Sequence, residues 1–330
     1  MTYLPSTSRH ERMPYARCGK SGLKLPRLSL GLYQNFSDKD PFAGCVSVLC
    51  RAFDLGITHF DLANNYGSNT GAAESILGRV LRREFAAHRD ELVITTKAGY
   101  DMWPGPYGEW GSRKYLLASL DQSLRRLGLG YVDVFYSHRF DPETPLEETM
   151  GALASAVHQG KALYVGISNY DAQASERAIS ILRALGVPCL VNQSSYSLLN
   201  RGIERELLPL LQREGVGAVT FQALQRGILS DAWAGDLSLL QRSRFQGWGM
   251  PQAWLSLLPA LAAHAHSRGQ TLSEMALAWC LRDERICSVL VGARTPEQVT
   301  DSVAALAGPG FSETELRHID SLLSSNAILT

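Results

Sequence analysis

Apolar positions along this chain follow two alternating rhythms. Segments with apolar residues at helical spacing alternate with short, near-continuous runs of Val, Ile, Leu and Phe. Five helical segments stop at a glycine, at Gly56, Gly128, Gly160, Gly186 and Gly215, and a short apolar run follows each one. Glycine there predicts a helix end, because a residue without Cβ accepts the left-handed conformation that terminates a helix. The runs that follow are ITHFDLA, YVDVFYSH, ALYVGIS, PCLVNQS and GAVTF, and LVITTK lies between the first two. LSLGLY near residue 30 and SVLVG near residue 290 complete a set of eight predicted strands.

Strands that are apolar on both faces belong in a parallel sheet covered by helices, and eight of them alternating with helices close a barrel. The pattern predicts an α/β chain folded as a (β/α)8 TIM barrel, one domain over residues 1–330 with the barrel at about 28–310. An open doubly wound sheet is the competing arrangement, but no G-x-G-x-x-G turn follows the first strand. Residues 13–27 hold Gly19-Lys20-Ser21-Gly22 between two short extended runs and predict a hairpin plugging the barrel floor. Helix starts are expected at the capping boxes Thr144–Glu147, Thr271–Glu274, Thr295–Gln298 and Ser312–Glu315, with extra C-terminal helices beyond the last strand. The irregular stretch 224–255, with Gly227, Gly235, Gly247 and Gly249, predicts a long functional loop.

Composition narrows the partners. Thirty-two basic residues balance thirty-two acidic ones, so no long-range field gathers nucleic acid or an anionic membrane. No stretch approaches the roughly twenty apolar residues of a membrane-spanning helix, so a cytoplasmic enzyme with a small-molecule partner is expected. The six cysteines, Cys18, Cys45, Cys50, Cys189, Cys280 and Cys287, show neither a C-x-x-C pair nor zinc-like histidine spacing. They are expected as reduced thiols, mostly in the core, and no metal site is expected.

In a parallel barrel the chemistry sits at the C-terminal mouth, so polar residues that end apolar strands are the candidates. Asp61 closes ITHF, Tyr66 lies in the Asn64-Asn65-Tyr66-Gly67 loop, Lys97 ends LVITT, and His138 ends VDVFYS. Singly, each has a structural explanation, such as a helix cap or a loop anchor. Together they suit carbonyl reduction, in which the oxygen gaining negative charge needs a proton. Tyr66 would donate that proton, with Lys97 expected to lower the phenol's pKa from its usual value of about 10. Asp61 would hold Lys97 charged and aimed, and neutral His138 would orient the carbonyl oxygen. A Schiff-base aldolase would also place a lysine at a strand end, but an adjacent Asp opposes the lowered lysine pKa it needs. A metal-dependent hydrolase would want clustered histidines, and the eight here are dispersed.

The strings Phe60-Asp61-Leu62-Ala63-Asn64-Asn65-Tyr66-Gly67, Thr96-Lys97-Ala98-Gly99 and Tyr136-Ser137-His138-Arg139 resemble, in order and spacing, the catalytic tetrad of the aldo-keto reductase family. The segment GYDMWPGPYGEWGSRKYLLASLDQSL is similar to the family's bacterial L-glyceraldehyde-3-phosphate reductase branch, which lies near the potassium-channel β-subunits. The resemblance implies NADPH or NADP+ bound across the barrel mouth without a Rossmann domain. It assigns Ser168, Asn169 and Gln193 to the nicotinamide carboxamide and Tyr196 to stacking on its ring. On the adenosine side it assigns Leu224, Gly227, Gly292, Arg294, Thr295, Gln298 and Asp301.

This chain departs from the family there. Ala223 replaces the usual proline, Asp231 lies where a lysine near the pyrophosphate is usual, and Asp301 and Ser302 replace Glu and Asn. Tyr33 and Trp103 are candidates for an apolar substrate pocket, although Trp103 also suits a structural role in a stiff loop. Arg139 would meet a substrate phosphate or make an interior ion pair. The expected activity is NADPH-dependent reduction of small aldehydes or ketones, such as L-glyceraldehyde 3-phosphate or methylglyoxal. The alternative is an NADP(H)-binding regulatory subunit with little turnover. The resemblance also implies a homo-oligomer, a tetramer or larger ring, although monomers are common in the wider family.

Overall fold

Each of the eight apolar runs becomes a barrel strand. The computed structural model describes residues 3–233 and 252–324. Its strands β3 (Leu28–Gly31), β4 (His59–Asp61), β5 (Val93–Ala98), β6 (Val132–Ser137), β7 (Ala162–Ser168), β8 (Cys189–Ser195), β9 (Gly217–Phe221) and β10 (Ile286–Val291) pair in chain order, and β10 closes on β3. All these pairings are parallel. The (β/α)8 barrel expected from the sequence is the fold.

Helices α1 (Phe42–Asp54), α2 (Ala72–Arg83), α3 (Arg113–Leu127), α4 (Leu146–His158), α5 (Ala172–Ala184) and α6 (Leu207–Glu214) alternate with the strands. Further along come α7 (Gln252–Ser267), α8 (Leu272–Leu281), α9 (Pro296–Ala304) and, beyond the barrel, α10 (Glu313–Ser324). The five helix-ending glycines all take positive φ, between 69° and 85°. Phe60, Phe135, Leu153 and Leu182 belong to the larger core, while Val134, Tyr136, Val191, Val219 and Leu290 form a separate buried cluster. Alternation along the strands turns that second set toward the barrel axis.

The N-terminal hairpin pairs β1 (Tyr15–Arg17) with β2 (Lys24–Pro26), and its buried Cys18 and Leu25 pack beneath this second cluster. Gly19 is required at its turn, because a Cβ there would stand 2.2 Å from the Gly215 carbonyl oxygen. The boxes at Thr271 and Ser312 form in full. At Thr295 the hydroxyl accepts from the Gln298 amide, but the Gln298 side chain turns to the Arg294 amide instead. At Thr144 the box is absent. Asp141 accepts from the Glu143 and Thr144 amides, and α4 starts after Pro145 with no side-chain cap.

Of the expected long loop at 224–255, residues 225–227 and 231–233 form single 3-10 turns and 234–251 lie outside the described residues. Gln222, Gln225 and Arg226 hold positive φ without being glycine. Ser195 and Ser197 secure this turn by donating to the side-chain oxygens of Gln222 and Gln225. Asp231, which lies where a lysine near the pyrophosphate is usual, accepts from the Leu272 and Ser273 amides at the start of α8. The six cysteines are unpaired, all buried except half-buried Cys50. Among the described residues no helix is long and apolar enough to cross a membrane.

Candidate active site

Parallel strands deliver their C-terminal residues to one end of the barrel, and there Asp61, Lys97 and Tyr66 converge. Asp61 ends β4, and Lys97 stands one residue before the end of β5. Tyr66 comes from the loop after β4, which two of its bonds tie to β5 and α3. The Asn64 amide donates to the Lys97 carbonyl at 2.9 Å, and the Asn64 side chain donates to Tyr115 Oη at 3.0 Å.

Lys97 Nζ donates to Asp61 Oδ2 at 2.5 Å, to the Leu62 carbonyl at 2.7 Å and to Tyr66 Oη at 3.5 Å. An ammonium has three donors and no acceptor, so the phenol oxygen must accept and its own proton points elsewhere. Asp61 Oδ1 accepts from Thr95 Oγ1 at 2.7 Å and Gln193 Nε2 at 3.0 Å, which satisfies the buried carboxylate on both oxygens.

Burial pushes the Tyr66 phenol well above the ordinary tyrosine range, and Asp61, Tyr33 and Tyr100 push it the same way. The net shift is therefore upward, not the lowering expected from Lys97. Asp61 at 2.5 Å answers the Lys97 charge, and burial outweighs the ammonium's pull toward a phenolate. The group is a protonated phenol at neutral pH. Burial also lowers the Lys97 pKa, with Asp61 opposing the drop. His138, just beyond β6, is held well below the usual histidine range by burial and then by Lys97 and Arg139, so it is the neutral imidazole expected. Its ring lies 5.8 Å from that of Tyr66, and its buried Nδ1 has no hydrogen-bond partner.

Aromatic groups line the mouth. Tyr33 is 60% exposed and meets Tyr66 edge-on at 5.0 Å. Tyr100 meets His138 edge-on at 4.6 Å, and the Arg139 guanidinium lies over Tyr100 and over Trp110, 3.4 Å from the latter's centroid. Arg139 also donates to Glu109 at 2.6 Å and to the Gly99 carbonyl at 2.8 Å, an ion pair at the rim, not in the interior, since the Glu109 side chain is 43% exposed. Trp103, a candidate for the pocket or for a structural role in its loop, is half-buried and packs against buried Tyr115 at 5.3 Å. Tyr115 in turn donates to the Tyr100 carbonyl at 2.5 Å, so Trp103 braces the wall from behind.

Ser168 is buried at the end of β7, and Asn169 follows it exposed, with φ at 57°. The Asn169 side chain donates to the His138 carbonyl at 3.0 Å, linking the expected carboxamide-binding pair to the tetrad. Gln193 stands beside them on β8. Tyr196 is misplaced for stacking on a ligand. It is fully buried, lies flat against Trp279 at 5.3 Å, donates to Glu204 and accepts from Arg282. The half-buried aromatic at a strand end is Phe221, the last residue of β9, packed on the barrel-interior cluster. Sequence reasoning passed over Phe221, although GAVTF ends on it. It also missed Tyr100 and Trp110.

Half-buried Leu224 and Gly227, with φ at 96°, lie in the turn after β9. Gly292 follows β10, and exposed Arg294 stands at the start of α9, where Thr295 caps the helix. Arg294 Nε donates to Asn35 Oδ1 at 3.2 Å, Gln298 accepts from the Arg294 amide, and Asp301 is exposed one turn on. A cleft of about 320 Å³ is lined by Tyr33, Asn35, Gly67, Ser68 and Arg294, and so reaches from Tyr33 to this helix start. A guanidinium at a helix N-terminus suits a phosphate group.

The aldo/keto reductase family model matches residues 27–324. The chain is 51% identical over 331 residues to the L-glyceraldehyde 3-phosphate reductase of Escherichia coli strain K12, which covers 97% of this chain and 95% of the relative. It is 51% identical over 329 residues to the protein of the same name from Escherichia coli O157:H7, with the same coverage of each. This chain is an oxidoreductase belonging to the aldo/keto reductase family.

Proposed function

We infer that this chain reduces short aldehydes and ketones with NADPH, and that Tyr66 is the general acid. The carrying observation is the Lys97–Tyr66 hydrogen bond, in which the phenol accepts and so keeps its proton for a group in the mouth. NADPH supplies the hydride when bound. Ser168, Asn169 and Gln193 would hold its carboxamide, Phe221 would support its ring, and Leu224, Gly227 and Gly292 would border its pyrophosphate. Arg294 and Thr295 would take its 2′-phosphate, and Gln298 and Asp301 its adenine.

The chain's own residues manage the proton. Tyr66 gives it to the carbonyl oxygen, and the third N–H of Lys97 stabilises the phenolate that results. Asp61 keeps Lys97 charged and aimed despite its burial. Neutral His138 donates a hydrogen bond to the carbonyl oxygen and fixes its approach. Tyr33, Tyr100 and Trp110 enclose a short substrate and exclude water. The relatives' name favours L-glyceraldehyde 3-phosphate, and methylglyoxal is a second short carbonyl of the same class. The test is steady-state NADPH and NADH oxidation against a panel of aldehydes. Multiple turnovers with a preference for NADPH are expected. Tight NADPH binding with negligible steady-state rate would favour a regulatory subunit instead.

A further inference from the structure

Beneath the Asp61–Lys97 pair, one side of the barrel interior is filled by a file of hydrogen-bonded polar groups. Ser288 on β10, Ser29 on β3, His59 on β4 and Thr95 on β5 are fully buried and come from four adjacent strands. Ser288 Oγ lies 2.6 Å from Ser29 Oγ, which lies 2.8 Å from His59 Nδ1. His59 Nε2 lies 3.1 Å from Thr95 Oγ1, which lies 2.7 Å from Asp61 Oδ1. The file therefore ends on the carboxylate that holds Lys97.

The direction of every bond follows from valence. A carboxylate paired with an ammonium carries no proton, so Thr95 donates to it. Thr95 has one hydroxyl proton and must therefore accept from His59, which places the imidazole proton on Nε2. The bare Nδ1 then accepts from Ser29, and Ser29 accepts from Ser288. Burial keeps His59 neutral, pushing its pKa down to about 4, with Lys97 acting the same way and Asp61 opposing. All the donors thus point toward Asp61, and such aligned bonds polarise one another.

We propose that His59 is a positioning residue for the proton donor: it holds the Thr95 hydroxyl on Asp61 Oδ1, reserves Oδ2 for Lys97 and so sets the potential felt by Tyr66. The role rests on Tyr66 being the acid. Without the His59 N–H, Thr95 is free to turn away and the Asp61 charge is less screened. The phenol, facing Asp61, Lys97, His138, Tyr33 and Tyr100, then holds its proton more tightly and becomes a poorer acid.

The test compares His59→Phe, His59→Gln, Thr95→Val and the double variant His59→Phe/Thr95→Val, using NADPH and glyceraldehyde across the pH range. His59→Phe should lower kcat about tenfold, leave KM within about twofold and move the alkaline limb to higher pH. His59→Gln, whose amide can still donate to Thr95, should restore most of the rate, and His59→Phe should add nothing to Thr95→Val. Independently, 15N NMR of the intact wild-type protein should show His59 as the Nε2–H tautomer, unchanged from about pH 5.5 to 8. An Nδ1–H tautomer, additive effects or an unchanged kcat in His59→Phe would overturn the proposal. Tyr66→Phe separates the two readings. Retained turnover there overturns the acid assignment, whereas lost turnover with additive His59 and Thr95 effects overturns the role of His59 alone.

Discussion

Lys97 and Asp61 form a 2.5 Å ion pair in which neither side chain is more than 2% exposed. Removing either partner leaves the other charged and buried. Lys97→Met should therefore destabilise the fold by about 3–5 kcal/mol in urea unfolding and abolish turnover. Asp61→Asn/Lys97→Met should recover much of that stability with no recovery of activity. A double variant no more stable than the single one would show that the pair contributes something other than mutual compensation.

The exchange of Tyr196 for Phe221 gives a second prediction. Phe221→Ala should weaken NADPH binding about tenfold in a fluorescence titration, the loss of one ring contact. Tyr196→Phe should leave the NADPH Kd unchanged but cost about 1–3 kcal/mol, because Glu204 and Arg282 lose their shared hydroxyl. The reverse pattern would restore Tyr196 as the stacking ring.

Acid should weaken the fold through its buried histidines. The folded His59 pKa is about 4 against an ordinary 6.5, so between those values the unfolded chain binds a proton that the folded chain refuses. Stability therefore falls as pH drops from about 6.5 to about 4 and levels off below, a loss of about 3 kcal/mol from this residue. His138 is shifted in the same direction and adds to the loss. Urea midpoints in this window should drop steeply for the wild type and less for His59→Gln. Equal slopes would place the proton uptake elsewhere.

Arg139 divides two roles for the loop beside it. As a partner of Glu109 stacked on Trp110 it holds the wall. Arg139→Ala should raise KM about threefold for glyceraldehyde and for its 3-phosphate alike. A selective loss against the phosphorylated substrate would show that the guanidinium leaves Glu109 to bind it.

Much of this was legible in the residues. The barrel was readable because glycine endings and doubly apolar runs are local signals, repeated along the chain. Asp61, Tyr66, Lys97 and His138 were readable because strand ends in a parallel barrel share one mouth. Tyr196, Trp103 and Arg139 were misread or left open because their surroundings lie outside the motifs that carry them: Trp279 and Glu204, Tyr115, and Glu109. The direction of the Tyr66 shift was missed for a related reason. Proximity to an ammonium was visible in the motif, but burial and the prior claim of Asp61 were not. His59 lay in plain view within ITHFD, yet only the register of four strands shows what it touches.

The central claim is that the Tyr66 phenol delivers the proton. Tyr66→Phe, assayed for NADPH oxidation with glyceraldehyde and titrated separately with NADPH, tests it most directly. Turnover should fall by about 10²–10⁴ while the NADPH Kd stays within about twofold of the wild type. Turnover like the wild type's in Tyr66→Phe would contradict it.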